Sequence, residues 1–320
     1  MSSVFSGIWV PLVTPFHQGP VDHAALRRLV GHCVAHGVHG LAPLGTTGEP
    51  AMLDEDEQIA VLDTVLDSAH GLPVVAGLAG VHGGDLLQRL RGLRGLNQRP
   101  LAGVMVPPPP YVRPSQQGIV DHFTRLADAS RAPIVLYDIP YRTGVTLELD
   151  TLLTLAGHPN IRAIKDCGGS PDKTQALIAD GRLAVLTGED AAVFSHLCMG
   201  GHGTIAAAAQ VRPDLFVAMH QAIQAQRLNE ARAIFHRLAP LVRTLFDEPN
   251  PAGVKAALHH QGWLGNELRS PMTPVSATTQ ARVAKQLQDL AAAIPPDSTL
   301  SGAPRHHEGS LQPNTQGALS

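Results

Sequence analysis

Lys165 closes a short apolar run in the stretch IRAIKDCGG, residues 161–169. The chain has four lysines, Lys165, Lys173, Lys255 and Lys285, against twenty arginines. An ammonium at the end of a buried strand is costly unless it is paired or neutralised. At a solvated strand end it would instead snorkel outward. A neutral lysine amine can attack a ketone, and the resulting iminium withdraws electrons from the neighbouring carbon. At an ordinary pKa only about one amine in a few thousand is free at pH 7, and burial in a barrel is expected to lower that pKa. The three tyrosines of the chain, Tyr111, Tyr137 and Tyr141, all follow apolar runs. They are expected to converge with Lys165 on one mouth. A phenol such as Tyr137 can carry the protons that Schiff-base chemistry moves, relayed by a hydroxyl such as Thr46. GTTGE at 45–49 offers backbone N–H groups in a tight turn suited to a carboxylate. Amine, phenol and amide nest together describe a site for a 2-oxo acid.

These residues need elements that bring them together. Eight apolar runs recur along the chain, at 8–15, 40–45, 73–80, 101–109, 133–140, 161–166, 183–190 and 203–209. Runs without polar alternation suit strands buried on both faces. Between most of them lie helical patterns, such as 22–37, which opens on Asp22 and ends at Gly37. Eight strands alternating with helices predict parallel β/α units and an α/β fold, a (β/α)8 TIM barrel. A doubly wound sheet usually carries a Gly-rich turn after its first strand, whereas VTPFHQG stands here. In a TIM barrel the chemistry sits at the C-terminal strand ends, where all the residues above fall. The expected division is a barrel over 1–225, a small C-terminal helical domain over 226–294, and a disordered tail over 295–320. That tail is polar and rich in Pro, Gly and Ser. Lys173, Lys255 and Lys285 lie in helical patterns and are expected to be solvated. Asp166 and Glu189 are read as structural.

Composition narrows the function classes. The net charge of -3 gives no basic footprint for nucleic acid. No apolar run approaches the roughly 20 residues of a membrane span, and the N-terminus lacks a signal-peptide pattern. Cys33, Cys167 and Cys198 are few and far apart, as in a reduced cytoplasmic protein. Seventeen histidines form no HExxH or Cys/His cluster, so no metal site is expected.

The motifs that carry this chemistry resemble those of the dihydrodipicolinate synthase / N-acetylneuraminate lyase family of pyruvate-dependent class I aldolases. They are GTTGE at 45–49, YVRPSQ at 111–116, LYDIPYRTG at 136–144, AIKD at 163–166, GGHG at 200–203 and EPNP at 248–251. The resemblance spans roughly residues 5–292. It implies a TIM barrel with a C-terminal helical domain, in a homotetramer or homodimer, acting on small molecules with no cofactor beyond the covalent Schiff base. By resemblance Lys165 is the Schiff-base lysine, Tyr137 the general acid/base and Thr46 the relay. Thr47 and Gly48 belong to the pyruvate carboxylate site. Tyr111 resembles the tyrosine that reaches into a neighbouring subunit's site, and Ile205 the residue whose carbonyl borders the lysine. Arg142 resembles the arginine that binds the second substrate's carboxylate, which favours aspartate-4-semialdehyde as acceptor and 4-hydroxy-tetrahydrodipicolinate as product. The alternative is a related aldolase acting on a 2-oxo-3-deoxy sugar acid or a hydroxy-oxo-acid. The chain departs from the family at Pro50, Pro110, Val112 and DCGG (166–169). The side chains used by lysine-inhibited members are absent at the aligned Glu55, Gln58, Val81 and Pro110. Lysine is therefore expected to inhibit weakly.

Overall fold

The computed structural model describes residues 4–92 and 100–292. The expected tail at 295–320 lies outside the described residues. All eight strands fall within or against the eight apolar runs, as β1 (Gly7–Val10), β2 (Gly40–Leu41), β3 (Val75–Gly77), β4 (Gly103–Val106), β5 (Ile134–Asp138), β6 (Ile161–Asp166), β7 (Ala184–Thr187) and β8 (Gly203–Ile205). Their order is β2-β1-β8-β7-β6-β5-β4-β3, with every pairing parallel. A single parallel bridge, Leu41 to Val74, joins the two ends and closes the TIM barrel. The strands are shorter than the runs because the chain leaves the sheet to build loops. After β2, Pro43 has no N–H to donate and Leu44 takes a φ of 59°.

Helices alternate with these strands: α1 (His23–Ala35), α2 (Glu55–Ser68), α3 (Gly83–Gly92), α4 (Gln116–Ala129), α5 (Pro140–Thr143), α6 (Leu149–Leu155), α7 (Pro171–Asp180), α8 (Val193–Cys198) and α9 (Pro213–Gln224). Caps fix several starts: Asp22 accepts from the Ala25 N–H, and Asp54 with Glu57 forms a capping box. α3 was not among the helical patterns read from the sequence. It opens on Gly83 and Gly84, whose helix propensity is poor, and its apolar side is carried by Leu86 and Leu90. Then come α10 (Leu228–Leu245), α11 (Ala252–His260) and α12 (Ala277–Ala292), which pack on one another.

Strand periodicity decides which side chains enter the barrel. On β5, Ile134 and Leu136 join the apolar layer under the helices, while Val135 and Tyr137 face the interior. On β6, Ile164 lies in the outer layer and Ala163 in the interior, and the same alternation turns Lys165 inward. Two of the other lysines correct the expectation of solvated side chains. Lys173 is buried and pairs with Asp138 at 2.5 Å; Lys255 is fully buried and pairs with Glu49 at 2.5 Å. Their partners lie 35 and 206 residues upstream, where a helical pattern gives no sign of them. Lys285 is exposed beside Asp289.

Candidate active site

Tyr137 and Lys165 are direct neighbours across the β5–β6 ladder. The Lys165 amine donates to the Tyr137 hydroxyl at 3.3 Å and lies 4.3 Å from the centre of its ring. Both residues are buried. The Tyr137 hydroxyl also shares a hydrogen bond with Thr46, so amine, phenol and threonine form a continuous polar chain. Gly188, after β7, makes room for the lysine: a Cβ there would lie 2.5 Å from Lys165 Cε.

The GTTGE segment is a tight turn of the 3-10 type over Thr46–Gly48, closed by the Gly48 N–H donating to the Gly45 carbonyl. Two contacts hold it from outside. The Thr14 hydroxyl donates to the Gly48 carbonyl at 2.7 Å, and Asn250 Nδ2 donates to Thr47 Oγ1 at 3.1 Å. Glu49, with φ 53°, is anchored by Lys255 of α11. Thr47 is buried.

Thr46, Thr47, Tyr137, Lys165 and Ile205 line one cavity of about 680 Å³, which opens past Tyr141 and Arg142. Arg243 of α10 and, from the connection between α10 and α11, Asp247, Glu248 and Asn250 complete its wall. Arg142 is exposed at the rim, with its guanidinium 5.6 Å from the Tyr141 ring centre. The structure thus brings together Lys165, Tyr137, Thr46, Thr47, Arg142 and Ile205. Gly48 sits in the adjoining turn without lining the cavity. Tyr111 does not join them: it is 92% exposed, with φ 74°, and absent from the lining of its own chain's cavity. The expected convergence of all three tyrosines therefore holds for Tyr137 and Tyr141 alone within one chain.

Electrostatics refine the expectation that burial lowers the lysine. Burial pushes the Lys165 amine down; negative charge on Tyr137, Cys167 and Asp190 pushes it up, and the sum lies above its ordinary value. Burial raises both the Tyr137 phenol and the Cys167 thiol, so at pH 7 neither is an anion. Their charge pull on Lys165 then vanishes, and burial is opposed by the hydrogen bond with Tyr137 and by Asp190. Asp190 itself is pushed up to about 6 by burial, against the hydrogen bonds it accepts from Ala208 and Ala207.

Sequence reasoning missed Asp190 and Cys167 as parts of this site. TGED (187–190) stands at the end of the seventh apolar run and DCGG departs from the family beside the lysine, yet neither pattern singles out Asp190 or Cys167 for a role. Cys167 does not line the cavity itself but shares a hydrogen bond with Glu189, which does. Asp166, by contrast, is structural as expected: it accepts from the Thr174 hydroxyl at 2.5 Å and the Gly168 N–H at 2.9 Å. Among the described residues no group of three or more His, Cys, Asp or Glu side chains could hold a metal ion. Nor is any helix long and apolar enough to cross a membrane.

The chain is similar to known proteins along nearly its whole described length. The model of the dihydrodipicolinate synthetase family matches residues 4–290. A 4-hydroxy-tetrahydrodipicolinate synthase of Haloarcula marismortui is 39% identical over 276 residues, covering 85% of this chain and 89% of that one. A second such synthase, from Clostridium acetobutylicum, is 35% identical over 286 residues, covering 88% and 99%. The crystal structure of dihydrodipicolinate synthase from Thermotoga maritima superposes with a TM-score of 0.86 at 31% identity, over 90% of this chain and 99% of that one. A monomeric dihydrodipicolinate synthase variant gives the same TM-score at 30% identity, over 90% and 97%.

Proposed function

The chain belongs to the dihydrodipicolinate synthetase family, and on that premise we propose that it condenses pyruvate with L-aspartate-4-semialdehyde to 4-hydroxy-tetrahydrodipicolinate. It is a Schiff-base-forming lyase that works as a class I aldolase. The observation that carries the reading is the 3.3 Å contact between the Lys165 amine and the Tyr137 hydroxyl, both buried in the barrel and both lining the cavity.

The neutral Lys165 amine adds to the keto carbon of pyruvate. Tyr137, in line with Thr46, passes the protons that turn the carbinolamine into an iminium and water, and then the iminium into an enamine. The amide-lined turn at Thr47 and Gly48 receives the pyruvate carboxylate. The enamine carbon attacks the aldehyde of the acceptor, whose carboxylate is met by the Arg142 guanidinium at the rim. The amine of the acceptor then closes the ring and frees Lys165. No external cofactor enters this sequence, because the iminium formed on the protein's own lysine is the electron sink.

Tyr111, exposed on one chain, completes the relay of a second copy, so the working form is at least a homodimer. Gln58 supports weak inhibition by lysine: its side chain is committed to the carbonyls of Pro50 and Leu53, to which it donates, and to Arg89, from which it accepts.

An acceptor panel tests the reading. Pyruvate with the semialdehyde should give product, and borohydride with pyruvate should leave a covalent adduct on Lys165. Substituting Arg142→Ala should raise KM for the semialdehyde roughly 10- to 100-fold, the loss expected when a charged hydrogen bond is removed, with adduct formation intact. Pyruvate release from 2-oxo-3-deoxy sugar acids, without condensation on the semialdehyde, would establish the related aldolase instead.

A further inference from the structure

Asp190 lines the wall of the same cavity, yet none of the steps above uses it. It is 6% exposed and follows Glu189 in the segment between β7 and α8. Its two oxygens accept from the Ala208 N–H at 2.6 Å and the Ala207 N–H at 3.2 Å, in the turn that follows β8. Two backbone amides thus fix the carboxylate in place. Among the described residues no Lys, Arg or His stands within ion-pair distance of it; the cation it couples to most strongly is Lys165. A buried carboxylate held only by neutral amides is expensive to keep unless a positive charge comes to meet it.

The chemistry proposed for Lys165 creates such a charge. Amine nitrogen and keto carbon bond, and the carbonyl oxygen leaves as water. That water takes one proton from the nitrogen and one from the Tyr137 route. Each iminium formed therefore takes up one proton and is cationic until it loses a carbon-bound proton to become the enamine. The iminium keeps one N–H, and an anion fixed beside it holds that nitrogen in the cationic form that draws electrons from the neighbouring carbon. Resting on the Schiff-base reading of this site, we infer that Asp190 is the fixed counter-ion of the iminium formed on Lys165. It acts through Lys165 as a positioning residue and sets the proton affinity of the free amine as well.

The groups facing Asp190 agree with this role. Lys165 comes from β6, Tyr137 from β5 and is neutral, and Glu189 adjoins it in the chain. Arg243 of α10 lines the same cavity. Burial holds the Asp190 carboxyl at about 6, so it is ionised at pH 7 and protonated under mild acid.

The test follows adduct formation on Lys165 with pyruvate and borohydride, read by mass spectrometry across pH about 5.5 to 10, in the full-length wild type and in Asp190→Asn. Circular dichroism establishes that the variant is folded, and Asp190→Ser replaces it if it is not. Loss of the counter-ion should move the midpoint of alkaline activation down by about one pH unit or more, the effect of removing a nearby opposite charge. Asp190→Glu, which keeps the charge, should restore the midpoint toward the wild-type value. A purely structural aspartate would lower the adduct yield at every pH with the midpoint unmoved, and that result would overturn the inference. No adduct in the wild type would remove the Schiff-base reading and the counter-ion together.

Discussion

In the proposed reaction Tyr137 and Lys165 divide the labour of one step, and their variants should fail differently. Lys165→Ala removes the nucleophile, so the pyruvate adduct should vanish and turnover should fall by about 10⁴-fold or more. Tyr137→Phe leaves the amine in place. The adduct should still be trapped, more slowly, while kcat falls by about 10²- to 10⁴-fold, the range for a positioned proton carrier. Equal loss of adduct in both variants would show that Tyr137 shapes the pocket for Lys165 and carries no proton. Both residues were legible in the sequence because their types are rare and they stand at the ends of apolar runs. Asp190 was not legible, because an aspartate in a turn has many uses and its two amide partners lie 17 and 18 residues away.

At the scale of elements, two buried ion pairs tie the catalytic strands to their surroundings. Lys173 of α7 reaches Asp138 at the end of β5, and also donates to the Leu147 carbonyl at 3.0 Å. Gly168 lies over this pair; a Cβ there would meet Lys173 Nζ at 2.6 Å, which accounts for a glycine in DCGG. Lys255 of α11 does the equivalent for the GTTGE turn, with the Glu49 carboxylate and the Glu267 carbonyl as partners. Burial pushes Lys255 below its ordinary value, with Glu49 pulling against it. Replacing Lys255 with Met strands Glu49 in the interior. The expected cost is about 3–5 kcal/mol, the usual penalty for breaking a buried pair, read as a lower Tm. Because Glu49 anchors the turn proposed to hold pyruvate, KM for pyruvate should rise more than KM for the aldehyde; a fall in Tm with both KM values unchanged would separate the pair from the site. None of this could be seen in a helical pattern, since hydrophobic periodicity shows which face is inward but not which charge awaits it there.

For the whole molecule, pH provides the broadest test. Burial holds His32 and His220 at about 4, and pushes His39, His122, His196 and His202 below their ordinary value. Unfolded histidines take up protons near 6.5. The folded chain refuses those protons, so stability is full above about pH 6.5 and declines as pH falls toward 4. Asp138 and Asp190 act in the opposite sense, because burial raises both and the folded state holds their protons better. Six histidines outweigh two carboxyls, so the urea midpoint should fall between about pH 7 and pH 4.5. His32→Gln with His220→Gln should flatten that slope; an unchanged slope would assign the acid sensitivity to other groups. The barrel itself was legible at this scale, because strands buried on both faces leave continuous apolar runs. Helix α3 escaped notice because its two opening glycines hide a segment that only packing makes helical.

The barrel is closed by one bridge between Leu41 and Val74, whereas β5 and β6 meet over five registered pairs. The staves of this cask are therefore bound most loosely on one side, and GTTGE begins four residues past that seam. Amide deuterium uptake should be fastest at β2 and β3 and slowest at β5 and β6. The carboxylate cradle would then breathe with the seam while amine and phenol stay clamped, and pyruvate, by bridging cradle and amine, would act as the missing hoop and slow exchange on the far side from the bond it forms.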